Sequence, residues 1–94
     1  MTFVNSNNWS GAIRCYYWSD DNYSMISWPG ENMTYKDVNE YGQSIYTIEL
    51  PTTVDYVIFT DGVAQTVDIP VNGSAKFYTT GSTDSSGKYN VATW

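Results

Sequence analysis

Most of this chain consists of short apolar stretches with a period of two, the spacing of side chains along a β-strand. The clearest alternation covers residues 44–50 and ends at Pro51. Residues 54–59 are apolar on both faces, as in a central strand, and residues 67–71 alternate again. Further strands are predicted at residues 3–4, 12–18, 75–79 and 88–93. With turn signals about every ten residues and no convincing helix, the pattern predicts an all-β, antiparallel β-sandwich.

One segment fits neither period well. Tyr35, Val38 and Tyr41 lie three positions apart, as they would on one side of a helical turn. The residues between them are polar, and Gly42 follows directly. Because so short a helix is not stable alone, this segment is predicted to be a connecting loop.

The strand at residues 12–18 divides its side chains between two faces. One face carries Ile13, Cys15 and Tyr17, and the other carries Arg14, Tyr16 and Trp18. An arginine is rarely buried, so the second face is predicted to be exposed to solvent. Tyr16 is then a surface aromatic beside a cation. Trp18 either extends this aromatic surface or packs beneath a loop.

Trp28 lies in the sequence Ser27-Trp28-Pro29-Gly30, which predicts a loop. Proline restricts the preceding residue to extended or turn geometry, and glycine lets the chain reverse. An exposed tryptophan buries a large, rigid surface against a partner with little loss of side-chain freedom. Packing against its own loop is the alternative. Trp9 follows a polar turn and is predicted to close an edge of the sandwich.

Length and composition narrow the possible functions. A chain of 94 residues is expected to form one domain, residues 1–94, and its start predicts a module taken from a longer protein. The net charge of −6 argues against binding to nucleic acid or anionic membranes, which requires clustered basic residues. No apolar run is long enough for a membrane span.

Catalytic and metal-binding chemistry is poorly supported. The chain has one cysteine, Cys15, and no histidine, which removes an internal disulfide, a zinc cluster and His-dependent nucleophiles. The acidic residues are scattered over turns and strand ends, so no glycosidase pair is predicted. The segment Asp20-Asp21-Asn22 is predicted to be a turn rather than a calcium site. No enzyme, cofactor or metal is therefore expected.

Aromatic residues favour a carbohydrate ligand. They make up 17% of the chain against 15% for charged residues, so some rings are expected on the surface. Pyranose rings have apolar C–H faces that stack on aromatic rings, and equatorial hydroxyls that need polar partners. Tyr16 and Trp28 are the candidate stacking residues, with Arg14 and Gln65 as hydrogen-bond donors to the hydroxyls.

The sequence resembles carbohydrate-binding module family 26 in five ordered segments between about residues 3 and 71. These are Asn7-Asn8-Trp9-Ser10, Cys15-Tyr16-Tyr17-Trp18, Trp28-Pro29-Gly30 with Met33-Thr34, Tyr56-Val57-Ile58-Phe59 and Gln65-Thr66-Val67-Asp68. The resemblance implies an Ig-like β-sandwich that binds α-1,4-glucan through Tyr16 and Trp28. The related family 25 shares that fold and ligand. Two departures from the family pattern are Arg14, where members often carry an aromatic, and residues 61–64, where a glycine- and asparagine-rich turn is common.

The function predicted from the sequence is a non-catalytic starch-binding module. The resemblance implies a bacterial, extracellular or cell-surface setting, tethering to an amylase or a surface scaffold, and a monomeric state. Three alternatives stay open: an Ig-like structural or adhesive spacer that binds a protein, a binder of a β-linked glycan, and an enzyme fragment. The roles of Trp18 and Trp94, and the presence of a second sugar site, are not decided by the sequence.

Overall fold

The computed structural model describes residues 1–19, 26–71, 73 and 75–93, which form nine β-strands and no helix. The strands are β1 (Thr2–Val4), β2 (Arg14–Trp18), β3 (Glu31–Asn32), β4 (Thr34–Val38), β5 (Ser44–Thr47), β6 (Tyr56–Thr60), β7 (Ile69–Pro70), β8 (Lys76–Thr83) and β9 (Tyr89–Thr93). Within this part of the chain, no helix is long and apolar enough to cross a membrane. The predicted turn at Asp20-Asp21-Asn22 and the residue Trp94 lie outside the described residues.

Two sheets form the molecule, and they confirm the predicted all-β sandwich. The five-stranded sheet has the order β4-β5-β1-β8-β9, and the four-stranded sheet has the order β3-β2-β6-β7. Strands β1 and β8 pair in parallel, whereas the other paired strands are antiparallel. The sheets are therefore mainly but not wholly antiparallel.

The core lies between the sheets and is built on aromatic rings. Phe3 of the five-stranded sheet stacks on Phe59 of the four-stranded sheet, with ring centroids 4.5 Å apart. Trp9 is buried against Phe3 and the edge of Tyr89. The Asn5 side chain holds it there, because its Oδ1 accepts from the Trp9 backbone N–H at 2.8 Å and its Nδ2 donates to the Trp9 carbonyl. The prediction that Trp9 closes the sandwich is confirmed.

Strand β2 shows the predicted division between its two faces. Cys15 and Tyr17 are buried in the core, while Arg14, Tyr16 and Trp18 are only partly covered on the opposite face. Burial is the main cause that raises the pKa of the Cys15 thiol to about 12, and the nearby Glu31 carboxylate adds to it. A thiol with so high a pKa stays protonated at neutral pH and is a core residue rather than a nucleophile.

The predicted connecting loop at residues 35–41 is wrong over most of its length. Residues Thr34–Val38 form β4, an edge strand whose five residues are all exposed. The β4–β5 register shifts between Tyr35 and Asp37, which is a β-bulge or irregularity. An extra residue at that point interrupts the period of two. The spacing of three between Tyr35 and Val38 therefore comes from an irregular strand, although it resembles the spacing of a helical turn.

Two other strands are shorter than the alternation predicts. Strand β5 ends at Thr47, although Ile48 beyond it is still buried in the core. Within residues 67–71 only Ile69–Pro70 pairs as a strand. Just before it, Thr66 donates its N–H to the Phe59 carbonyl of one sheet and forms a parallel bridge with Tyr89 of the other. The segment touches both sheets here before it returns to β6 as β7, so alternation continues without a continuous ladder.

Candidate functional site

Four aromatic rings form a continuous surface on the outside of the four-stranded sheet. Trp28, Tyr16, Trp18 and Tyr56 follow one another in that order, and we call them the aromatic face. The Trp28 and Tyr16 centroids are 5.3 Å apart with planes at 64°. Tyr16 and Trp18 are 5.6 Å apart at 38°, and Trp18 stacks on Tyr56 at 5.4 Å and 16°. The angle between neighbouring planes therefore falls steadily from Trp28 to Tyr56.

Strand pairing places these rings on one side. Tyr16 lies opposite Ile58 and Trp18 lies opposite Tyr56 in the antiparallel β2–β6 pair. Directly opposed residues of such a pair point to the same face of a sheet. Ile58 is buried but does not belong to the core cluster between the sheets, so it is an apolar base for the outward-facing rings.

The loop that carries Trp28 is fixed closely against β2. Gly30 donates its N–H to the Ser27 carbonyl at 2.8 Å, and Arg14 Nη1 donates to the Gly30 carbonyl at 3.4 Å. Gly30 has a φ of +101°, and a Cβ there would collide with the carbonyl of Cys15. Only glycine allows so close an approach in this conformation. As predicted, Trp28 lies in a turn, with 47% of its side chain exposed.

Arg14 and Gln65 lie on the same side of the four-stranded sheet as Tyr16 and Trp28, at a position two residues before Tyr16 along β2. Arg14 is opposite Thr60 in the β2–β6 pair, and Gln65 forms an antiparallel bridge with the other side of Thr60. Two strand spacings of about 4.8 Å put the backbones of Arg14 and Gln65 roughly 10 Å apart. Arg14 flanks Tyr16 directly along β2, whereas Gln65 is the more distant of the two.

Asp61 organises the turn that leads to Gln65. Its carboxylate accepts hydrogen bonds from the backbone N–H groups of Val63 at 2.9 Å, Ala64 at 2.8 Å and Gly11 at 3.3 Å. Burial alone would raise the pKa of this carboxyl, but these donors outweigh it and hold the pKa below its ordinary value. The charged form of Asp61 therefore stabilises the folded turn.

We expect the stability of the protein to depend on the ionisation of Asp61. A folded-state pKa below that of the unfolded chain, about 3.9, means that the stabilisation is present above this pH and is lost as pH falls through the folded value. Urea unfolding of the wild type and of Asp61→Asn between about pH 6 and pH 3 measures this. The variant should lose less stability on acidification, and an identical loss in both proteins would contradict the assignment.

The structure brings together Tyr16, Trp18 and Trp28, with Arg14 beside them and Gln65 farther along the same surface. Tyr56 is a member of the aromatic face that the sequence analysis did not identify as a site residue. Its side chain direction follows from the pairing of β2 with β6, and these strands are separated by more than thirty residues of intervening chain. No short turn fixes their register, so parity along β2 alone could not place Tyr56.

The described part of the chain contains no candidate metal site. No three His, Cys, Asp or Glu side chains converge there on a possible metal position. Glu31, which follows the Trp28 loop, accepts a hydrogen bond from the Tyr17 hydroxyl at 3.2 Å. It is thus engaged in holding β2 and β3 together. The surface offers rings, amides and a guanidinium, which suit binding.

Comparison with protein-family models shows which family the chain belongs to. The model for starch-binding module 26 matches residues 1–70, about three-quarters of the sequence. The chain belongs to this family. Searches of curated proteins and of solved structures found no match.

Membership in starch-binding module 26 makes the chain a starch-binding carbohydrate-binding module. Modules of this kind are non-catalytic, and those of this family generally belong to secreted proteins that degrade polysaccharides. The matched range includes strands β1 to β7 and the whole aromatic face, whereas the β8–β9 hairpin follows it.

Proposed function

We propose that this module binds α-1,4-linked glucan segments of starch, such as maltooligosaccharides, with Tyr16 and Trp28 as the stacking pair. The observation that supports this most directly is the geometry of the two rings, which lie 5.3 Å apart at 64° on an exposed surface. They form two walls of a shallow, angled trough. Tyr16, Trp28, Trp18, Arg14 and Gln65 are the proposed binding residues.

The angle between the rings favours an α-linked over a β-linked glucan. An α-1,4-linked chain curves, so the apolar faces of successive glucose units turn relative to one another. Two ring planes at 64° can each meet a different unit of such a curve. A β-linked chain is flat and ribbon-like, and it would be matched by a row of coplanar rings. The Trp18 and Tyr56 planes are nearly parallel, but the two rings stack on one another, so they extend the apolar surface rather than forming such a row.

Hydrogen bonds to the sugar hydroxyls are assigned to Arg14 and Gln65. Arg14 donates one N–H group to the Gly30 carbonyl, and the other N–H groups of its guanidinium can donate to sugar hydroxyls. Through that bond, Arg14 also connects Tyr16's strand to the Trp28 loop. Gln65 lies farther away, and we propose that it contacts a glucose unit beyond the pair. Neither residue places a negative charge against the neutral ligand.

A shallow site of this type gives modest affinity, since it buries only a few sugar units. Tethering to an amylase or a surface scaffold would raise the effective concentration of the module at the polysaccharide. We propose that residues 1–94 act as such a tethered module of a secreted bacterial protein and bring catalytic partners to starch.

The proposal is tested with the wild-type module and two kinds of ligand. Migration in native gels should be retarded by soluble starch, and calorimetric titration should show binding of maltoheptaose but not of cellohexaose. Bovine serum albumin, run beside the module, controls for non-specific retardation. Unretarded migration would contradict starch binding, and equal affinity for both oligosaccharides would contradict recognition of the α-linkage. Either result would favour the spacer or the β-glucan alternative.

A further inference from the structure

A groove of about 800 Å³ lies on the outer surface of the five-stranded sheet, on the opposite side of the sandwich from the aromatic face. Ligand sites have volumes of about 300–1,000 Å³. The floor consists of Val4 and Ile45, which are paired between β1 and β5. One wall is the β4–β5 turn, residues 39–43, and the other combines Ser6, Asn7 and residues 78–80 of β8.

The floor of this groove has a counterpart beneath the aromatic face. Val4 is 4% exposed and Ile58 is 7% exposed, yet neither belongs to the core cluster between the sheets. Among the described residues, they are the two buried aliphatic side chains outside that cluster. Each faces outward from its own sheet. The module therefore has two outward surfaces with an apolar base, and only one of them is used by the proposed starch site.

Both walls of the groove are held in place by their own hydrogen bonds. Asn39 Oδ1 accepts from the backbone N–H groups of Tyr41 at 3.0 Å and Gln43 at 2.9 Å, and Asn39 Nδ2 donates to Gln43 Oε1 at 2.8 Å. On the other wall, Ser6 Oγ donates to the Thr79 carbonyl at 2.6 Å. The groove is thus ordered before any ligand arrives, which lowers the entropic cost of binding.

Polar groups and an exposed ring line the walls. Tyr41 is 77% exposed, although it is carried on the fixed turn. Gln43 Nε2 and the Asn7 side-chain amide have no hydrogen-bond partner among the described residues, so these donors can meet a ligand. Glu40 is the single charged residue in the lining. An aromatic ring beside amides and hydroxyls, with almost no charge, fits a neutral polyhydroxylated ligand and disfavours phosphates and acidic sugars.

We propose that this groove is a second glycan-binding site, with Tyr41 as its stacking residue and Asn7 and Gln43 as donors to sugar hydroxyls. The choice of α-glucan as its ligand rests on the proposed function, whereas its neutral, polyhydroxylated character follows from the groove itself. Since the two sites face opposite directions, one module would hold two glucan segments on opposite surfaces and link neighbouring chains.

Amide chemical shifts of ¹⁵N-labelled protein during titration with maltoheptaose test this site by site. In the double variant Tyr16→Ala with Trp28→Ala, amides of residues 39–45 should still shift and saturate. In Tyr41→Ala, the Kd reported by those amides should rise about tenfold, while shifts around Trp28 should match the wild type. The side chain of Tyr41 is largely exposed, so its removal leaves no core cavity.

Each contrary result would show which of the two proposed sites, or which ligand assignment, is wrong. Shifts confined to the aromatic face in the wild type would overturn the groove and leave the proposed starch site intact. Shifts confined to the groove would support the groove and overturn the starch site at Tyr16 and Trp28. Equal groove shifts with cellohexaose would overturn the α-glucan assignment. Groove shifts on diluting the protein without sugar would indicate self-association and overturn the proposal.

Discussion

Trp28→Ala is expected to weaken retardation of the module by starch strongly while leaving its fold intact. The ring is 47% exposed on a turn, so its removal opens no cavity in the core. It also forms one wall of the angled pair with Tyr16. Truncating an aromatic hot spot costs about 2 kcal/mol or more, which is about 30-fold in affinity. Because the affinity of a shallow site is modest from the start, binding at the aromatic face should fall below detection in the gel, and any retardation that remains should come from the groove.

The matched control is Tyr35→Ala. Tyr35 is also an exposed aromatic, with 54% of its side chain accessible, but it lies on the edge strand β4 of the other sheet and outside the groove. Its removal should leave starch retardation unchanged. Tyr16→Ala should behave as Trp28→Ala does. Normal retardation of Trp28→Ala, or an equal loss in Tyr35→Ala, would show that the aromatic face is not where starch binds.

Gly30→Ala is expected to impair stability and starch binding together. The residue has a φ of +101°, and its Cβ would collide with the Cys15 carbonyl in the neighbouring strand. Unfavourable backbone geometry of this kind costs about 1–3 kcal/mol, and relieving the collision requires the Trp28 loop to move away from β2. Urea unfolding and starch-gel migration measure the two effects. The loss of stability should exceed about 2 kcal/mol, and the ring pair should be disrupted.

Gly87→Ala provides the comparison for Gly30. Gly87 also has a positive φ, +81°, but nothing lies within 4 Å of its Cβ position. It belongs to the exposed β8–β9 turn, far along the chain from the Trp28 loop. The change should cost about 1–2 kcal/mol from backbone conformation alone and leave starch binding unaltered. If both alanine variants lost the same stability and kept full binding, close packing at Gly30 would not position Trp28.

The outward direction of Tyr16 and the turn at Trp28 could be predicted because both follow from local chemistry. Side chains alternate between the two faces of β2, and because arginine is rarely buried, the face with Arg14 and Tyr16 is the outer one. Pro29 and Gly30 are sufficient to predict the turn. The contact between the two rings also requires the Trp28 loop to fold back beside β2, and the hydrogen bond from Arg14 Nη1 to the Gly30 carbonyl holds the loop there.

Features that depend on pairing between distant segments could not be predicted in the same way. The position of Tyr56 beside Trp18 requires the β2–β6 register, which no connecting turn determines. Strand β4 was missed because the irregularity after Tyr35 disrupts the period of two in a strand that has no buried face. Likewise, the parallel β1–β8 pair joins segments about seventy residues apart, and local patterns carry no information on such a partner.

The sheet edges influence how copies of the module behave when they are crowded on a starch surface. Strands β3 and β7 have two residues each, and Pro70 in β7 lacks a backbone N–H donor. Strand β4 carries Lys36 at its irregular position and is exposed throughout. Short, charged or bulged edges resist the addition of a foreign strand. Modules gathered densely on a granule would therefore stay separate along these three edges, and the fourth edge, β9, is already paired with residues 65–67 at Tyr89.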